Sequence, residues 1–126
     1  MNTPRPELAT LTNGQAVGRS EIPLFANDAF GQALLDGVAA RQRVSALFGA
    51  PSPLPGATRL YAVLADDEQN LLFAAATDIA GGEFPSLTPR CPQVHLFERE
   101  IAEQFGLRPV GHPWFKPVRY RRSWTG

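Results

Sequence analysis

A chain of 126 residues, 44% of them hydrophobic, is the size of one globular domain, and folding at that length buries roughly two-thirds of the unfolded surface without staples. Twelve basic residues balance twelve acidic ones, which excludes a general attraction to nucleic acid or anionic membrane. The single cysteine, Cys91, excludes an internal disulfide, is too few for a thiolate metal site and suits a reducing cytoplasm, and neither a span of ~18 apolar residues nor a signal core is present.

Residues 1–12, with Pro4 and Pro6, read as a weakly ordered lead-in, and Asn13-Gly14 as a turn. Ile22-Pro23-Leu24-Phe25 reads as a short edge strand, where a proline that cannot donate to a ladder is tolerated. Asn27 or Asp28 is suited to cap a helix of about residues 28–42, whose Phe30, Leu34 and Val38 share one face. Gly31 and Gly37 each weaken that helix by about 1 kcal/mol relative to alanine, so packing must hold it. Residues 43–49 fit a helical continuation or a strand with Val44, Ala46 and Phe48 on one face, and the strand is preferred. Residues 50–57 carry Pro51, Pro53, Pro55 and Gly56 and read as a loop.

Residues 59–65 and 71–77 are apolar runs flanking Asp66-Asp67-Glu68-Gln69-Asn70, the pattern of a β-hairpin with an acidic tip. Both faces of both strands are apolar, whereas a half-solvated antiparallel sheet alternates apolar with polar, so this hairpin calls for cover on both sides. Residues 80–92 form a Gly- and Pro-rich connection with an extended piece at 83–87, and Thr88-Pro89 is suited to open a second helix of about residues 91–105.

Residues 95–120 are the most specific stretch. Val94, Phe97, Ile101 and Phe105 lie within an arc of about 80° on a helix, and Gly106 follows as its C-terminal stop. Glu98 falls inside the apolar flank and should be partly buried, with His112 or a tail arginine as its candidate partner. Arg99, Glu100 and Glu103 point away, with Arg99 and Glu103 at i, i+4 spacing. Leu96 lies among these charges, where a leucine suits contact with a partner subunit. Glu98 and Glu100 lie about 200° apart and cannot converge as a catalytic or metal pair, and neither histidine has a His-x-x-x-His mate. His112, between Gly111 and Pro113, is placed to act as a hydrogen-bonding peg in a turn. Beyond Arg108 there is no acidic residue: Trp114, Phe115, Tyr120 and Trp124 mingle with Lys116, Arg119, Arg121 and Arg122, as in an arm laid across another protein.

The string Glu98-Arg99-Glu100, Glu103, Phe105-Gly106, Gly111-His112-Pro113 resembles the signature of the 30 kDa subunit family of respiratory NADH dehydrogenase, a component of the peripheral arm of complex I. Glu103 stands where that pattern usually has aspartate, and residues 114–119 replace its common Leu-Arg-Arg. That second variant looks more like membrane-bound nickel–iron hydrogenases and formate hydrogenlyases, in which such a domain is often fused ahead of the large subunit. The resemblance is sharp over residues 84–120 and diffuse upstream.

The resemblance implies one α+β domain over residues 1–126, a small antiparallel sheet of about three to four strands packed with two main helices and followed by an extended arm at 108–126. It also implies a full subunit or a domain of a longer protein, without catalysis or redox cofactor of its own, docking a large (49 kDa-like or hydrogenase) subunit beside an iron–sulfur subunit. Iron–sulfur clusters, and in the hydrogenase branch a nickel–iron centre, would then belong to the partners, and the chain would sit at the cytoplasmic face of the membrane only through the complex. Leu96, Glu98, Arg99, Glu100, Glu103, Phe105, Gly106, Gly111, His112, Pro113, Trp114, Lys116 and Arg119 would shape the docking surface. Two other readings stand beside it: a nucleic-acid or ligand module working through the basic aromatic arm, and a small hydrolase using His112 and Glu98.

Overall fold

The structure, a computed structural model, describes residues 8–12 and 14–118. Its frame is the expected hairpin, in which β4 (Ala57–Asp66) and β5 (Leu71–Ala80) pair antiparallel from Ala57↔Ala80 to Asp66↔Leu71. Asn70, at φ 57°, turns the chain at the acidic tip, a left-handed position that asparagine tolerates. β3 (Arg43–Pro51) adds to β4, and β1 (Ala9–Thr12) adds antiparallel to β5. The two-residue β2 (Leu24–Phe25) lies parallel to β5 beyond the end of β1, giving a five-stranded sheet ordered β1-β5-β4-β3 with β2 beside β5. The fold is α+β and mostly antiparallel, as expected, with one strand more than expected because residues 9–12 of the supposed lead-in pair with β5.

Helix α1 (Asn27–Ala39) and helix α2 (His95–Phe105) cover one sheet face, α1 buried through Phe30 and Leu34 and α2 through Val94 before it and Ile101 within it. Leu60, Ala62, Leu64, Ala75 and Ile79 meet them from β4 and β5. Tyr61, Ala65, Ala74 and Ala76 alternate with these residues and are also buried, so the hairpin carries buried side chains on both faces. Gly37 is required where α1 crosses the sheet: a Cβ there would sit 2.5 Å from Leu64 Cδ1 and 2.8 Å from Gln42 Oε1. Neither Asn27 nor Asp28 caps α1. The Thr77 hydroxyl donates to the Phe25 carbonyl at 2.8 Å and lies 2.7 Å from the Asn27 amide, which ties the helix start to β5, while Asp28 accepts from the adjacent Ala29 N–H. The helix stops at Ala39, ahead of the expected boundary, because Arg41 takes φ 68° and turns the chain into β3.

β3 departs from simple alternation. Val44 pairs with Leu64 and Ala46 with Val63, so Ser45 is an extra residue and the faces switch there. Val44 and Leu47 face the helices, whereas Phe48, expected on Val44's face, is 48% exposed on the other and stacks on Tyr61 at 5.5 Å.

At one end of the hairpin Arg59 stands opposite Asp78, donating Nε to Oδ1 at 2.8 Å and NH2 to Oδ2 at 2.9 Å, while the Ser52 hydroxyl donates to Oδ1 at 2.9 Å. Side-chain exposures of 18% and 11% mark this as a largely desolvated pair, unlike the exposed Arg43–Asp67 bridge at the other end. The bond from Arg59 holds the Asp78 carboxyl below its usual range against the opposing effect of burial, and Ser52 adds to it. A carboxyl with a depressed folded pKa stabilises above the unfolded value and loses that contribution as pH falls through the folded one. Asp78→Asn should therefore lower the unfolding free energy by about 2 kcal/mol at neutral pH, a deficit that shrinks below about pH 4. Urea titrations of both proteins across that range measure it, and a pH-independent difference would contradict the assignment.

After β5, a short β6 (Glu83–Pro85) pairs parallel with β7 (Arg108–Val110), so the expected C-terminal arm begins as a strand. Thr88-Pro89 does not open α2: the chain turns there, with Cys91 N–H donating to the Leu87 carbonyl at 2.7 Å, and enters the helix through a 3₁₀ turn at Pro92–Val94. Among the described residues no helix is long and apolar enough to cross a membrane.

Candidate functional site

Helix α2 organises the region that the sequence marks as specific. Its inward side carries Glu98, Ile101 and Ala102, and Phe97 and Phe105 flank them against the core. Phe105 reaches β3, where its ring requires the bare backbone of Gly49: a Cβ there would lie 2.8 Å from Cε2. Gly106 ends the helix at φ 68°, its N–H donating to the Ala102 carbonyl at 2.9 Å. The chain then doubles back as β7 beside β6, and this pairing lays residues 86–88 against α2.

That loop supplies the partners of Glu98. The carboxylate is 0% exposed; its Oε1 accepts the Ser86 hydroxyl at 2.6 Å, the Thr88 hydroxyl and, at 3.3 Å, the Thr88 N–H, and its Oε2 accepts the Leu87 N–H at 2.8 Å. The burial expected from angular position is present, and deeper. The expected partners are not: neither His112 nor a described tail arginine bonds it, because the loop already fills its acceptor sites. Glu98 reaches no outer surface and acts by locking loop to helix.

His112 is the peg. The turn is set by Gly111 at φ 87°, with the His112 N–H donating to the Pro109 carbonyl at 3.2 Å. The ring accepts the Trp114 N–H at Nδ1, 3.0 Å away, which leaves the proton on Nε2 to be donated to the His95 carbonyl at 3.1 Å. One imidazole thus fastens the turn to the start of α2 and fixes the chain direction after Pro113. With Glu98 and His112 each committed to separate partners, the two do not form an acid–base pair.

Arg99 makes the third fastening, missed in the sequence. Beyond its place near Glu103, its Nε donates to the Lys116 carbonyl at 2.8 Å and its NH2 to the Pro117 carbonyl at 3.1 Å, holding the outgoing chain along α2. Glu100 accepts from Gln104 at 2.8 Å within the helix. On α2 and the segments fastened to it, large apolar side chains are exposed: Leu96 is 50% exposed, Val110 45%, Trp114 52%, Phe115 56% and Val118 36%. Trp114 meets His95 edge-on at 5.7 Å, and Phe115 lies 6.4 Å from His112. Arg90, Arg108 and Lys116 are exposed in the same segments.

Of the thirteen expected site residues, Leu96, Trp114 and Lys116 are exposed, as are Gly106 at the helix end and Gly111 and Pro113 in the turn; Arg99, Glu100, Glu103 and His112 are partly buried, and Glu98 and Phe105 are committed to the interior side of α2. Arg119, with Tyr120, Arg121, Arg122 and Trp124, lies outside the described residues. Phe115, Val110 and Val118 join the surface without having been singled out. Ser86 and Thr88 were likewise missed, since nothing local in the sequence places a loop ten to twelve residues upstream against this face of the helix. Cys91, 2% exposed, has its thiol pKa raised by burial above all, which disfavours the reactive thiolate.

Comparison with known proteins supplies the family. A 43-residue stretch is 46% identical to hydrogenase-4 component G of Escherichia coli (strain K12); the match covers 34% of this chain and only 8% of that much longer protein. The model of the family described as respiratory-chain NADH dehydrogenase, 30 Kd subunit, matches residues 32–126, which take in the latter part of α1, the hairpin, α2 and the turn after it. Three-quarters of the chain is thereby accounted for, and the chain belongs to the 30 kDa subunit family of respiratory-chain NADH dehydrogenase.

Proposed function

We infer that this chain is a non-catalytic docking subunit or domain of an oxidoreductase complex, either a complex I-like NADH:quinone oxidoreductase or a membrane-bound nickel–iron hydrogenase of the formate hydrogenlyase type. The observation that carries this reading is the apolar surface formed by Leu96, Val110, Trp114 and Phe115, exposed on a segment that Glu98, His112 and Arg99 hold in one conformation. Large apolar side chains held rigid in the free protein suit association, because little conformational entropy remains to be lost on binding. The partner is the large catalytic subunit, with an iron–sulfur subunit alongside. The redox centres reside in those partners, and the complex holds the chain at the cytoplasmic face of the membrane.

Co-expression of the tagged chain with the large subunit of its complex tests the reading. The wild type should co-purify in fixed stoichiometry, and Leu96→Ala should weaken the complex by roughly tenfold without moving the melting temperature, since Leu96 is half exposed. A large subunit that never co-purifies, or a complex indifferent to Leu96 and to loss of residues 95–118, would sink it.

A further inference from the structure

Among the described residues, Nδ1 of His95 is the only buried side-chain nitrogen or oxygen without a hydrogen-bond partner. The other buried polar side chains are paired: Glu98 accepts from Ser86, Leu87 and Thr88, and the Thr77 hydroxyl donates to the Phe25 carbonyl. A polar atom withdrawn from water without a partner costs free energy, and native proteins keep few of them. This one falls where the α2 surface is built. His95 opens α2 and directly precedes Leu96; its ring is partly buried and meets Trp114 edge-on at 5.7 Å, and its carbonyl receives Nε2 of His112 at 3.1 Å. Leu96 and Trp114, on either side of it, are both half exposed. The other ring nitrogen of His95, Nε2, is not enclosed in this way, so water can accept a proton carried there, whereas a proton on Nδ1 would have no acceptor. The surroundings thus assign the proton to Nε2 and leave Nδ1 as an acceptor with a free lone pair.

Resting on the docking reading above, we propose that His95 is a binding residue of the α2 surface, whose Nδ1 receives an uncharged hydrogen-bond donor of the large subunit, a hydroxyl or an amide N–H, carried in beside Trp114. The donor is uncharged because a cation would give up its hydration at an enclosed site in exchange for one neutral acceptor. The bond is made only on association. A partner surface without the donor would leave the nitrogen unpaired, so the same atom that weakens the free chain discriminates between partners.

The test compares His95→Phe and His95→Asn with the wild type in thermal unfolding of the free chain and in calorimetric titration against the purified large subunit. Phenylalanine keeps a ring edge-on to Trp114 and removes the unpaired nitrogen, so His95→Phe should melt a few degrees higher. It should nevertheless bind about tenfold more weakly, because the partner's donor is then buried against carbon. Asparagine places its Oδ1 near the position of Nδ1, so His95→Asn should recover most of the lost affinity. His95→Phe binding as tightly as the wild type would overturn the proposal and leave docking intact. So would His95→Phe losing stability together with affinity, the mark of a purely structural residue, or His95→Asn binding no better than His95→Phe. A wild-type chain that does not bind the large subunit at all would sink the docking reading itself, and this proposal with it.

Discussion

Glu98→Ala should lower the unfolding free energy by about 4 kcal/mol, a large share of the total that a domain of this size possesses. The substitution strips the acceptor from the Ser86 hydroxyl, the Leu87 N–H and the N–H and hydroxyl of Thr88, in a place where Glu98 has no exposed surface and water has no ready access. Each buried donor left without a partner costs about 1–3 kcal/mol, and the hydroxyls recover part of that by turning to other acceptors. Glu98→Gln should cost about half as much: its oxygen can replace Oε1, but its NH2 group then faces the Leu87 N–H, donor against donor. Urea unfolding followed by circular dichroism measures both. A second readout is Cys91, whose thiol should become reactive at lower urea in both variants because it lies in the same loop-to-helix region. If Glu98→Ala unfolds at the wild-type urea concentration, the carboxylate is not the lock described above.

How much of this was legible in the sequence differs from element to element for physical reasons. The hairpin and α2 were readable because each rests on local signals that agree: two apolar runs around an acidic turn in one case, a 3.6-residue period ending in glycine in the other. The peg role of His112 was readable because glycine and proline on either side fix its backbone. Angular position also placed Glu98 inside the flank. Its partners were invisible, because two of the four donors are main-chain N–H groups, which leave no side-chain signature. The same holds for Arg99, whose acceptors are carbonyls of Lys116 and Pro117. The face of Phe48 was misread because a bulge at Ser45 changes the parity of β3, and one extra residue leaves no mark in a period-two pattern. The strand at Ala9–Thr12 was missed since its pairing partner lies some sixty residues away in β5, and four residues carry too little pattern to announce it.

Trp114 is where the docking reading makes its strongest quantitative claim. Trp114→Ala should weaken the complex with the large subunit by roughly 30- to 1000-fold, the range set by a loss of about 2–4 kcal/mol at an aromatic hot spot. The ring is 52% exposed, so about half of a large apolar surface remains to be buried by a partner, and its backbone is already fixed by the bond to His112 Nδ1. Its edge-on contact with His95 further limits the conformations that binding must freeze out. The isolated variant should unfold within about 0.5 kcal/mol of wild type, as exposed substitutions generally do. That contrast separates an interface residue from a structural one. His112→Ala supplies the complementary case: it leaves Trp114 in place but unfastens the turn, so it should weaken docking by a smaller factor, through a higher ordering cost. Calorimetric titration against the purified large subunit would order the three proteins as wild type, His112→Ala, Trp114→Ala. A Trp114→Ala chain that binds as tightly as the wild type would remove the α2 surface from the interface, whatever family the chain belongs to.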